Sequence, residues 1–348
     1  MIPQPITVQQ LKKPNAWQIE LKNAFEHPIA LLNYLEIKQT DQGLLFPDYD
    51  LSQPFKTRVP RPFAELMAPK SPLDPLLLQV LPLKAENITV PGFDHDPLKE
   101  NNPKTNPIPG LLHKFSSRVL FTLTGACAVH CRYCFRRHFP YHENTPGLKN
   151  LEPIINYIKK HPDINEIILS GGDPLSANDA YLTLVFEKIK TLTQIKIIRF
   201  HTRFPIVIPQ RITPELAQLF KGASEAGLKI VIVFHCNHPN ELSPELALRL
   251  SLIKPFVTLL NQSVLLKKIN DTPDVLISLS EKLFQWGILP YYLHQLDRVT
   301  GAHHFEVALP EAKKMVRALY QHLPGYLVPR FVQEVPGLDS KYPISCFD

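Results

Sequence analysis

The 348-residue chain has no apolar run that approaches the roughly 18 residues a membrane-spanning helix requires; its longest apolar stretches are strand-sized. A spanning helix is therefore excluded. The first residues, MIPQPITVQQLKKPNAW, lack the charged start, apolar stretch and small-residue cleavage site of a secretory leader, so export is not expected and a cytoplasmic address is. Lysine and arginine outnumber the acids 38 to 32, giving a net charge of +6, yet they are scattered. With no long basic run and no RNA-binding signature, neither direct nucleic-acid binding nor membrane attachment is expected. Cysteine is scarce and odd in number at five, and three of the five fall within eight residues, too clustered for a disulfide framework. Metal or redox chemistry is the better use for them. No solenoid-type repeat or low-complexity tract is present.

What the chain does have is proline, 35 in all, which breaks the first half into short pieces at 69–77, 90–110 and 161–165. The stretch 90–110 reads as a long irregular connection, preceded by segments of mixed helical periodicity at 16–39 and 62–80. From Arg118 onward the pattern becomes β-branched runs alternating with amphipathic helices, the form of repeated βα units around parallel strands. Strands are predicted at 118–124, 166–170, 195–201, 228–235, 256–261 and 288–295. Helices are predicted near 151–160, 177–192, 214–226, 243–252, 273–286 and 308–322. Six units fall short of the eight of a closed TIM barrel, so the expected fold is α/β, a partial (β/α)6 TIM-like barrel with chemistry at the C-terminal ends of its strands. The expected organisation is an N-terminal helical region and connecting segment over 1–110, the barrel over 111–325 and a C-terminal segment over 326–348.

Directly after the first predicted strand come Cys127, Cys131 and Cys134, spaced C-x3-C-x2-C. Three thiolates on a loop of this size can bind three irons of a 4Fe–4S cube, leaving the fourth iron open for a ligand. The alternative is a structural zinc with His130 or His138 as fourth ligand; the usual zinc pattern adds a second C-x2-C pair, which Cys236 and Cys346 do not form.

With Tyr133 just before the third cysteine, this motif resembles the radical S-adenosylmethionine (SAM) superfamily. That resemblance implies SAM chelated to the open iron and Tyr133 near the adenine. Ser170-Gly171-Gly172-Asp173-Pro174 would be only a tight turn on its own, but is similar to the superfamily's GGE-type segment, which holds the SAM amino group. His235 and Gln262, at the ends of the fourth and fifth predicted strands, match SAM contacts.

The overall pattern resembles the lysine 2,3-aminomutases over about residues 57–348. The resemblance implies that Lys341 carries pyridoxal phosphate (PLP), that Arg118 contacts it, and that Arg136 pairs with the α-carboxylate of the substrate. In the family an acidic residue, aspartate in the metabolic enzymes, stands at this offset before the lysine and is followed by a glycine-rich turn; here it is Glu334, and the turn has the single glycine Gly337. The segment around Asp297 resembles the family's segment in which an aspartate holds the ε-ammonium of L-lysine, a role the resemblance implies for Asp297. The pair Asp297 and Glu334 suits an ammonium, and would repel the side chain of glutamate.

Within the family, the short C-terminus and the strings RVPRPF (58–63), DPLLLQV (74–80), PGFDHDPL (91–98), PGLLHKF (109–115) and CRYCFRRHFPY (131–141) resemble the branch that makes (R)-β-lysine for elongation factor P. This implies functional links to elongation factor P and to a lysyl-tRNA-synthetase-like ligase, and a reductant protein such as flavodoxin or ferredoxin. The alternatives are a 2,3-aminomutase for another amino acid, or a non-catalytic iron–sulfur or zinc regulatory protein.

Overall fold

Parallel strands need crossover helices to connect them, and the alternating pattern after residue 117 supplies both. In the computed structural model, residues 16–37, 48–50, 52–145, 147 and 151–347 are described. The first fifteen residues, and positions 38–39 of the segment predicted at 16–39, lie outside them. Among the described residues, nine strands form a single sheet in strict chain order: β1 (Leu111–Phe115), β2 (Arg118–Thr124), β3 (Glu166–Gly171), β4 (Ile197–Thr202), β5 (Lys229–His235), β6 (Val257–Val264), β7 (Leu289–His294), β8 (Arg330–Gln333) and β9 (Tyr342–Pro343). Strands β2 to β8 are parallel, and an antiparallel strand pairs at each end, β1 on β2 and β9 on β8. The two ends are not paired with each other, so this is the open, partial barrel that was expected.

The six predicted strands are β2 to β7. Three more were not foreseen. β1 and β9 are hairpin partners, and β8 is a four-residue seventh parallel strand reached from the helix Leu309–His322. Three of the crossover helices, Asp179–Lys190, Pro214–Glu225 and Pro244–Leu250, start at a side-chain cap. Asn178 accepts from Tyr181 N, Thr213 from Leu216 N and Ser243 from Leu246 N, and the last two are followed by a proline that fits the first helical turn.

Strand β3 is buried along its whole length, as a central parallel strand covered on both faces must be. The helices pack on the outside, with Phe186, Phe200 and Phe220 fully buried between strands and helices. Trp17, Phe25 and Leu31 of the N-terminal pieces join that same core. Residues 90–110 contain neither helix nor strand, as expected. No helix among the described residues is long and apolar enough to cross a membrane.

Candidate functional site

Side chains two apart on a strand point to the same face, so the inner face of each parallel strand presents a short ladder to the barrel interior. Those ladders line a cavity of about 580 Å³, together with the loop after β2 and the segment before β9. Across the sheet, His235 lies beside Gln262, Gln262 beside Tyr292, and Tyr292 beside Arg330. All fifteen residues assigned from the sequence to the cluster, SAM, PLP or the substrate line this one cavity.

The cysteine loop is held down by the strand next to it. Gly172 N donates to Thr124 O at 2.7 Å and Asp173 N to Ala126 O at 2.8 Å, so the turn after β3 lies flat against the backbone of the loop. A Cβ at Gly171 would come within 2.4 Å of Thr124 O, and one at Gly172 within 2.5 Å of Ala126 O. Two glycines are needed for that approach, and Gly171 also has φ +118°. Asp173 is buried, and its carboxylate accepts from Leu175 N, Thr202 Oγ1, Arg203 N and Phe204 N at 2.7–3.0 Å. Burial drives its carboxyl up to about 6 even though these four donors favour the ionised form. The carboxylate thus bolts the end of β3 to the end of β4, and its acceptor sites are already used.

Cys127, Cys131 and Cys134 are free thiols facing the cavity. Burial pushes the Cys134 thiol up to about 11, with the Cys131 sulfur adding to it; burial and then Cys134 raise Cys127 well above its ordinary value. Cys127 and Cys134, crowded beside Cys131 and resistant to ionisation by burial, fit a polycationic centre, which favours the thiolate form. A single zinc ion fits less well. His130 Nδ1 lies 2.8 Å from Lys56 O with its ring stacked on Phe55, and the ring of His138 is stacked on His95. Among the described residues no three His, Cys, Asp or Glu side chains converge closely enough to hold one metal ion.

Tyr133 is buried and its ring stacks on His235. Its hydroxyl accepts from Arg203 Nη1 and Asn237 Nδ2, each at 2.6 Å, and lies 2.9 Å from His235 Nε2. Arg203 also donates to Cys131 Sγ at 2.8 Å and is anchored from behind by Glu241 and Gln79. Burial, and then the charge of Arg203, lower His235 to about 3, so its imidazole is neutral at physiological pH.

The other end of the cavity is cationic. Arg118, Arg199, Arg330 and Lys341 line it with Tyr291 and Tyr292. Arg199 is engaged by Glu166, whereas Arg118 lies over the Phe115 ring and has no hydrogen-bond partner among the described residues. His201 is a second orphan: its Nε2 is buried without a partner, and burial and Arg199 hold the imidazole well below its ordinary value. A free guanidinium and an unpartnered imidazole nitrogen beside Lys341 suit an anionic, polar cofactor such as a phosphate ester.

The β8–β9 hairpin returns Lys341 alongside Glu334, which explains the seven-residue offset between them; Gly337 takes the left-handed turn conformation at φ +86°. Lys341 Nζ donates to Glu334 Oε2 at 2.5 Å. Glu334 Oε1 is taken by Lys114 Nζ at 2.7 Å. Burial acts to raise the Glu334 carboxyl, but the charges of Lys341 and Lys114 outweigh it and hold it below the usual carboxylate range. Asp297 lines the same cavity with no side-chain hydrogen bond among the described residues, and burial followed by the charge of Glu334 pushes it up to about 7.

Arg136 is buried, with Nε and Nη2 on the two oxygens of Glu100 at 2.6 and 2.9 Å; its Nη1 donates to Ser170 Oγ at 3.2 Å. Glu100, Lys114, His201, Arg203 and His294 were not singled out from the sequence. Lys114 lies within the string PGLLHKF but was given no role there, and what distinguishes all five is their convergence on the cavity.

Comparison with known proteins agrees with this geometry. Residues 121–243 match the Radical SAM superfamily, a span that runs from inside β2 past the cysteine loop to beyond β5. The chain is 43% identical over 332 residues to an L-lysine 2,3-aminomutase of Haemophilus influenzae, covering 95% of this chain and 96% of that protein. It is 42% identical over 329 residues to the L-lysine 2,3-aminomutase of Escherichia coli K12, covering 94% of each. The protein of that name from Clostridium subterminale is 32% identical over 333 residues, 95% of this chain but 78% of that longer protein.

Proposed function

The chain belongs to the L-lysine 2,3-aminomutase family of radical SAM enzymes, and from that premise we propose that it converts L-α-lysine to (R)-β-lysine at the cavity inside the barrel. Membership makes it an isomerase that works with a 4Fe–4S cluster and SAM. The observation that carries the finer reading is that Lys341 and the three cysteines line one cavity. The cluster with SAM supplies hydrogen-atom abstraction, and PLP supplies the π-system across which nitrogen migrates.

In this reading, Cys127, Cys131 and Cys134 hold the cluster, and Ser170, Gly171, Gly172, Tyr133, His235 and Gln262 surround SAM. Asp173 supports SAM only through the backbone it fixes, because its carboxylate is occupied. Lys341 anchors PLP, with Arg118 as a cation toward its phosphate. Arg136 offers Nη1 to the α-carboxylate of the substrate while Glu100 holds the rest of the guanidinium. Asp297, with its unused oxygens, receives the ε-ammonium, joined by Glu334 Oε2 where Lys341, engaged by PLP, no longer holds it. Buried apolar side chains of the lining, such as Val119, Ile168 and Leu296, would limit the access of bulk water to the bound cofactors. We further infer that the product serves modification of elongation factor P through a lysyl-tRNA-synthetase-like ligase in the cytoplasm, with flavodoxin or ferredoxin as reductant.

The test is amine migration by anaerobically reconstituted, reduced protein supplied with SAM, PLP and, in turn, lysine, glutamate, arginine or alanine. Lysine alone should yield its β-isomer, resolved as (R) by chiral chromatography. Turnover of glutamate in preference to lysine would overturn the substrate assignment.

A further inference from the structure

The two ends assigned to the substrate in the reading above, on which this inference rests, are joined to each other by the protein. Arg136 follows β2 and Glu334 follows β8, near opposite edges of the open sheet. Between them runs a continuous chain of ion pairs. Arg136 grips Glu100 through two hydrogen bonds, Lys114 Nζ lies 2.9 Å from Glu100 Oε1 and 2.7 Å from Glu334 Oε1, and Lys341 closes on the other oxygen of Glu334. Glu100 comes from the irregular connection and Lys114 from β1, so neither belongs to the parallel strands that carry the chemistry.

We propose that Glu100 and Lys114 are positioning residues that tie the α-carboxylate anchor to the ε-ammonium anchor and so fix the length of the amino acid accepted, favouring lysine over ornithine, which is shorter by one methylene. The geometry leaves little play in this span. The Glu100 and Lys114 side chains are 3% and 17% exposed, and the fork of Arg136 meets Glu100 at both oxygens. A guanidinium paired in this bidentate way has one orientation, whereas a single contact would let it swing. Lys114 has three donors and spends two on the two carboxylates, which makes it a strut between them. The groups facing it are Glu100, Glu334 and, at longer range, Arg136, Lys341 and Asp297. Burial works against the Lys114 charge, but the two carboxylates outweigh it and raise its affinity for the proton, so the strut stays charged throughout the working pH range. A site whose anchors are rigidly spaced rejects the shorter diamine because one buried charge at one end then goes unpaired.

The experiment compares kcat/KM for lysine and ornithine in native enzyme, Lys114→Met, Lys114→Gln and Lys114→Arg, with iron content and melting temperature as checks on folding. The lysine-to-ornithine ratio should fall about tenfold in the two neutral variants, mainly through KM for lysine, and should stay within about a factor of two of native in Lys114→Arg. A parallel fall for both substrates, an unchanged ratio, or failure of both neutral variants to load a cluster would make Lys114 a structural residue and overturn the proposal. Native enzyme that turns over neither amino acid would instead refute the proposed function itself.

Discussion

Asp297 and Glu334 are two carboxylates in one cavity with opposite environments. Glu334 has a lysine on each oxygen and stays ionised; Asp297 has burial and a negative neighbour, and titrates near 7. Only the ionised form of Asp297 attracts an ammonium, so substrate capture should weaken as pH falls through that value. Because kcat/KM reports groups of the free enzyme, it should fall by up to about tenfold per unit below pH 7 and level off above it, with the slope abolished in Asp297→Asn. A flat profile between pH 6 and 8 in native enzyme would show that Asp297 does not receive the charge.

At this scale, what the sequence revealed was local. Three cysteines within eight residues, and an acid seven residues before a lysine, are patterns that the chain writes side by side. The partners of Asp173 and Arg136 are not written that way. Glu100 is thirty-six positions from Arg136, and Thr202 is twenty-nine from Asp173, so nothing in the local spacing announced that Asp173 is saturated or that Arg136 is gripped.

On the proposed assignment of the three cysteines, cluster formation depends on the loop after β2, whose platform is the Gly171–Gly172 turn at the end of β3. Gly172→Ala places a methyl group against Ala126 O and Gly125 O, backbone atoms that yield only if the cysteine loop moves. The variant should therefore bind clearly less iron per chain after anaerobic reconstitution than native protein, while its far-ultraviolet circular dichroism is retained. Full iron loading would show that the loop adapts and that the glycines serve the ligand alone. The strands β2 to β7 were legible because each is a run of β-branched or apolar residues with a helix after it. Strands β1, β8 and β9 were not, since at five, four and two residues they carry too little pattern and are defined by the neighbour they pair with. Those three hold or flank Lys114, Glu334 and Lys341, so the elements hardest to foresee bring in the charges that complete the cavity.

For the whole molecule, the consequence of a sheet that does not close is a gap between its first and last strands. In a fully paired barrel that gap would be bridged by backbone hydrogen bonds. Here the bridge is electrostatic, from Glu100 and Lys114 on one side to Glu334 and Lys341 on the other, and it runs along the cavity wall. The partial barrel could be read from the count of βα units. That its open edge is laced by buried charges could not, because those residues come from the connecting segment and the two hairpins rather than from the repeating units.

The account as a whole requires the cluster end and the lysine end of the cavity to act on one molecule at one time. The direct measurement is to supply L-lysine deuterated at C3 to the reduced, cluster-loaded enzyme with PLP and unlabelled SAM, and to analyse the recovered SAM by mass spectrometry. Deuterium should accumulate at the 5′ carbon of SAM as β-lysine forms. β-Lysine formed without any label in SAM, or SAM cleaved without taking up deuterium, would contradict it.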